Sequence, residues 1–173
     1  EWEEVERKRK EGEEAAEGVE EEAERILAEQ ERLINRMVAE VTALFDRMHV
    51  LVIGPGLGRC PLVLRAAARI ISAAREISLP LVIDADGLYL LTLEEHAELV
   101  AGYRGLVLTP NAVEVRRLAQ GLGGNYAKIH PDKEIGDMDG EELTLTAFDR
   151  ATEGNVVVKK GHHDILFSVS VER

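Results

Sequence analysis

Apolar residues return along this chain in two different rhythms. Val19, Ala23, Ile26, Leu27, Leu33, Ile34, Met37, Val38, Val41, Leu44 and Phe45 recur at three- and four-residue steps. That spacing lines one side of an α-helix and predicts a single long amphipathic helix ending near Met48. Ahead of it, residues 1–18 are almost all charge with two glycines, which reads as a solvated helix or a frayed tail. From His49 the rhythm changes to short continuous apolar runs separated by helix-length segments. His49–Ile53, Leu81–Asp84, Gly105–Leu108 and Val156–Lys159 read as strands, and Asp164–Val171 as a further one. Pro61–Ile77, most of Gly87–Val100, Ala112–Leu122 and Glu141–Thr152 read as helices, with Gly123–Gly140 a polar loop.

Continuous apolar strands are buried on both faces, as in a parallel sheet. The expected class is therefore three-layer α/β, a parallel sheet flanked by helices with the long amphipathic helix added at the N-terminal side. Two parts are expected: an acidic helical extension over 1–44 and the α/β domain over 45–173. The extension's apolar stripe needs a surface to cover it, either its own domain or another chain.

Composition narrows the function classes. A chain of 173 residues with 45% hydrophobic content can build one real core. It holds no run of eighteen apolar residues, so no membrane span is expected. The acidic N-terminal stretch has no apolar segment of the secretory type. The single cysteine, Cys60, excludes an internal disulfide and fits a reducing compartment, the cytoplasm or alternatively the mitochondrion. Of the net charge of −12, residues 1–32 carry −8, from fourteen Glu against six Lys or Arg. With no basic stripe to meet phosphate, nucleic acid is excluded as a direct partner.

Four short motifs sit where an open α/β sheet places its ligands, at the carboxyl ends of strands. Gly54-Pro55-Gly56-Leu57-Gly58 follows a buried strand and opens a helix, so its backbone can approach an anion. A tight turn between strand and helix explains it as well, and it is neither a P-loop nor G-x-G-x-x-G. Asp84 and Asp86 flank the next strand end, suited to a ribose hydroxyl or a metal-bound water. Asp86 could equally cap the helix that follows. Asn111 and Glu114 share one side of a helical first turn, with Asn111 suited to a phosphate or sugar and Glu114 to a position near Mg²⁺. Simple capping by Asn111, with Glu114 favoured by the helix dipole, is the other reading. Lys160-Gly161-His162-His163-Asp164 joins two strands and suits nucleotide phosphates or a base, or is an ordinary hairpin turn. Its paired histidines lack the further Cys or His that a metal site needs.

Taken together and in this order, Gly-Pro-Gly-Leu-Gly, Ile-Asp-Ala-Asp-Gly-Leu, Leu-Thr-Pro-Asn-x-x-Glu and Lys-Lys-Gly-x-x-Asp-Ile resemble the ATP-dependent NAD(P)H-hydrate dehydratases of the ribokinase-like superfamily, the eukaryotic members above all. The resemblance runs from about Phe45 to Phe167. It implies a lyase that uses ATP to phosphorylate the hydroxyl of hydrated NADH or NADPH, whose phosphate then leaves. It further implies that Gly56 and the run Asn111, Ala112, Val113, Glu114, Val115, Arg116 and Arg117 contact the hydrated cofactor, and that Lys160, Gly161, His162, His163 and Asp164 contact ATP. Asp84 and Asp86 match strand-end acids of that pattern, and Mg²⁺ is expected with ATP near Glu114. The family's opening strand and Gly-rich turn are not matched; the acidic helix stands in their place. Its closing Gly-Gly-x-Gly-Asp motif, which supplies the anion hole and the activating aspartate, is expected beyond Arg173. Two other functions are weighed: a non-catalytic relative serving as a structural subunit, docked through Val19–Phe45 as a homo-oligomer or on another protein, and a small-molecule kinase.

Overall fold

The computed structural model describes residues 2–100, 103–122 and 155–168. The helix α1 runs from Trp2 to Thr42, so the charged head and the amphipathic stretch are one helix, closed by a 3-10 turn at Phe45–Arg47. Then come β1 (Leu51–Ile53), α2 (Pro61–Glu76), β2 (Leu81–Ile83) and the short α3 (Asp86–Leu90). A 3-10 helix over Glu94–Val100 replaces the second half of the single helix expected there. β3 (Leu106–Leu108), α4 (Ala112–Leu122), β4 (Val156–Lys159) and β5 (Ile165–Ser168) complete the described chain. The expected loop Gly123–Gly140 and helix Glu141–Thr152 lie outside the described residues.

The five strands pair in sequence order, β1 to β4 parallel and β5 antiparallel on β4. Register aligns Ile53 with Ile83 and Ile83 with Leu108, so the strand ends fall in line. The crossovers through α2 and α3 run the same way along the sheet, and right-handed connections put both on one face. That face, formed by Leu51, Ile53, Leu81, Ile83, Leu106, Leu108 and Val157, is the buried core. On the other face Val82, Val107, Val156 and Val158 are half-buried, and Val52 of the edge strand is 57% exposed.

Pro61 starts α2 at the position where a missing N–H costs nothing. Its alanines Ala66, Ala67, Ala68 and Ala74 let it lie close to the sheet. The C-terminal third of α1 packs beside α2 through Ile34, Val38 and Val41. Glu31 reinforces this contact by accepting hydrogen bonds from Arg65 and Arg69. Among the described residues no helix is long and apolar enough to cross a membrane.

One buried polar group locks the lower end of the sheet. Asn155 accepts from the Leu106 N–H at 2.9 Å and donates to the Tyr103 carbonyl at 2.7 Å. The Tyr103 hydroxyl in turn donates to the Leu79 carbonyl at 2.6 Å, and burial pushes its pKa up to about 12. Removing Asn155 strands two backbone groups in a dry interior. Asn155→Ala should therefore lower unfolding stability by about 1–3 kcal/mol, read as a shift in denaturant midpoint. An unchanged midpoint would show that the bridge is not needed.

Candidate active site

The four motifs meet at the carboxyl ends of β1–β4. The turn after β1 is built on a close approach of two backbones. Gly54 has φ +126°, and a Cβ there would collide with the Asp84 carbonyl oxygen and lie 2.6 Å from the Gly87 nitrogen. A Cβ on Gly87 would sit 2.8 Å from the Ile53 carbonyl oxygen. Only two glycines allow β1 and the start of α3 to cross this tightly. Between Asp84 and Asp86, Ala85 takes φ 48° and ψ −119°, a strained conformation of the kind that gathers at binding sites.

That strained turn sends the two aspartates to different partners. Asp86 accepts from the Gly58 N–H at 3.0 Å and lies 3.5 Å from Arg59. It is the first residue of α3 rather than its cap, so its carboxylate ties down the Gly-rich turn instead of the helix. Asp84 accepts from the Lys160 ammonium at 2.6 Å and from the Ala85 N–H at 2.8 Å. Burial pushes the Asp84 carboxyl up, but hydrogen bonds from Lys160, Thr109 and Ala85, with the ammonium's charge, outweigh it and hold it below its ordinary value.

Strand β3 delivers the third motif. Thr109 N–H donates to the Ile83 carbonyl, and Lys160 N–H donates to the Pro110 carbonyl at 2.8 Å, which sets Asn111 beside Lys160. Asn111 Oδ1 accepts from the N–H groups of Val113 and Glu114, while Glu114 accepts from the Asn111 N–H at 2.7 Å. This is a reciprocal capping box, so both side chains hold the start of α4. Ala112, Val113, Arg116 and Arg117 are exposed, but Val115 is buried in the core, so only its backbone faces outward of that run. Gly56 stands exposed at the crown of its turn with φ +70°.

Between these segments lies a small pocket of about 90 Å³ lined by Arg59, Asp86, Tyr89, Thr92, Glu114 and Arg117. The Arg59 guanidinium lies 4.2 Å over the centre of the Tyr89 ring, a cation–π contact. Arg59, Tyr89 and Thr92 were not anticipated from sequence; the position of Arg59 directly after the Gly-rich run was the one available signal. Beyond Lys160, the Gly161 N–H donates to Asp164 Oδ1, closing the turn into β5, and His162 and His163 stack tilted and exposed at its tip. Among the described residues no three His, Cys, Asp or Glu side chains group as a metal site. The donor set agrees: Asp84, Asp86 and Glu114 each already accept a hydrogen bond at this surface. These residues make no cage for a bare Mg²⁺.

Comparison with known proteins fits this layout. A family model described as NAD(P)H-hydrate dehydratase matches residues 11–172, and so takes in most of α1. Relatives named ATP-dependent (S)-NAD(P)H-hydrate dehydratase are 42% identical over 135 residues in Neurospora crassa and 40% over 140 residues in Saccharomyces cerevisiae. A third, from Vitis vinifera, is 37% identical over 131 residues. These alignments cover 76%, 78% and 76% of this chain, and 36%, 38% and 34% of the relatives. The chain thus spans about a third of the length of the curated relatives it matches. The crystal structure of a hypothetical protein from Streptococcus mutans superposes with a TM-score of 0.53 at 21% identity, covering 76% of this chain and 41% of that one. It supports the fold.

The Asp84 pair sets a pH dependence. Its folded pKa lies below the ordinary 3.8, so its stabilisation is present above that value and is lost as pH falls through the depressed folded value. Asp84→Asn should flatten the fall of unfolding free energy at acidic pH relative to the parent chain. Identical acid titrations for the two proteins would show that the pair carries no such linkage.

Proposed function

The chain belongs to the NAD(P)H-hydrate dehydratase family, and from that premise we propose that its strand-end site serves the ATP-dependent repair of hydrated NADH or NADPH. The observation that carries this reading is the meeting of four separate segments through Gly58–Asp86, Asp84–Lys160 and Pro110–Lys160 contacts. Nothing in the packing of the core requires that constellation of charged side chains.

In the proposed reaction the hydroxyl of the hydrated nicotinamide attacks the terminal phosphorus of ATP, gives its proton to a base, and ADP leaves. The carbon–oxygen bond of the phosphate ester so formed then breaks, phosphate departs with the electron pair, and loss of a ring proton restores the double bond. We assign Gly56 and Asn111–Arg117 to the hydrated cofactor and Lys160–Asp164 to ATP. Lys160 would meet the polyphosphate as a point charge, aimed by its hydrogen bond to Asp84. Asp86 would act through Gly58 and Arg59 by fixing the turn that the ligand approaches. Magnesium would arrive on the ATP phosphates, with Glu114 reaching its water shell at most. Cytoplasm is the compartment we assign to this chemistry.

A second reading, a structural subunit, is favoured by one observation: the apolar residues Val19, Ile26, Leu27 and Leu33 of α1 are exposed. In either reading we assign protein association to α1.

Lys160→Ala should weaken ATP binding by about 1–3 kcal/mol, the range for a lost charge-assisted contact, measured by calorimetry with Mg²⁺ present. Equal affinities for variant and parent would overturn the assignment of this turn to ATP.

A further inference from the structure

We propose that α1 pairs with α1 of a second copy of this chain, in a parallel, in-register two-stranded coiled coil through Val19, Ala23, Ile26, Gln30, Leu33 and Met37. The inference rests on the reading of α1 as an association helix and names its occupant.

The apolar residues of α1 fall on two faces. Ile34, Val38 and Val41, with Glu31 and Asn35, turn toward α2. Residues 19, 23, 26, 30, 33 and 37 follow alternating steps of four and three, the heptad seam of a coiled coil. At 3.6 residues per turn this seam lies roughly a quarter turn away from the α2-facing side. Its apolar members up to Leu33 are open, with Val19 69% exposed, Ile26 48% and Leu33 47%. Gln30 is half-buried, and Met37, at the end of the seam, is half-buried and lines a hollow with Val63 and Ala66 of α2. Every described side chain from 18 to 29 is exposed, so nothing in the described fold supports that stretch. Helices draw most of their stability from packing an apolar face, and Gly18 weakens this one further.

The polar positions select the occupant. Gln30 is the single polar residue in the seam from Val19 to Met37. A polar residue at such a position fixes register, and its best partner is the same amide on an identical, in-register helix. The same residue selects the direction: a parallel, in-register pair sets Gln30 against Gln30, whereas an antiparallel pair over the whole seam would set each Gln30 against the apolar Ile26. The net charge of the acidic segment repels between the copies, and that term is screened by salt.

Sedimentation and light scattering on the chain should show a dimer that strengthens as salt is raised. Ile26→Asp with Leu33→Asp, both on the exposed seam, should give a monomer with an unchanged unfolding midpoint for the α/β part. In a Cys60→Ser background, Val19→Cys should form a disulfide-linked dimer on mild oxidation, as an in-register parallel seam places the two thiols side by side. A parent chain that stays monomeric at every concentration and salt overturns the second-copy assignment. A dimer that survives the double substitution overturns the seam itself, and a dimer that fails to cross-link through Val19→Cys overturns its parallel register.

Discussion

The contact on which this site depends is between backbones: the end of β1 pressed against the turn between β2 and α3. Gly54 and Gly87 leave no room for a Cβ against the Asp84 and Ile53 carbonyls. That crossing forces the chain through the strained Ala85, and the strain is what separates Asp84 from Asp86. One aspartate reaches across the sheet to Lys160, and the other reaches back to Gly58 and Arg59. A fold without this approach could keep every strand and still lose the polar constellation.

The remaining interactions transmit that geometry outward. The Asp84–Lys160 pair joins the end of β2 to the end of β4, across β3, which lies between them in the sheet. Such a half-exposed pair adds little stability by itself. Its value is positional, since it holds an ammonium at a place where a phosphate would want one. The capping box of Asn111 and Glu114 does similar work on α4, setting the helix start beside Lys160. At the other end of the sheet, Asn155 and Tyr103 satisfy buried backbone groups and keep the β3–β4 pairing dry.

Much of this was legible in the sequence, for reasons particular to each element. Leu51–Ile53, Leu81–Ile83 and Leu106–Leu108 stood out as continuous apolar runs, although among the described residues only one face of these strands is fully buried and the other is half-buried, with Val52 exposed. Asn111 and Glu114 declared a helix start by spacing alone. What stayed hidden were contacts between residues far apart in the chain. Asp84 and Lys160 lie 76 positions apart, Gly58 and Asp86 lie 28 apart, and no local pattern links them. The Arg59–Tyr89 stack was invisible for the same reason. The stripe of α1 was legible as apolar, but steps of three and four alone do not separate a face that meets α2 from one that meets water. Within the run proposed to meet the ligand, the Val115 side chain is buried, so only its backbone is left to face outward, a direction that a motif does not carry.

Amide hydrogen exchange with and without hydrated NADPH and ATP–Mg²⁺ tests the central claim most directly, because it reports on all four segments at once. If the strand ends form one site, protection should rise together at 54–58, 84–89, 109–115 and 160–164, and little elsewhere. Protection confined to one of these segments, or none at saturating ligand, would contradict the account and leave the convergence as a feature of the fold alone.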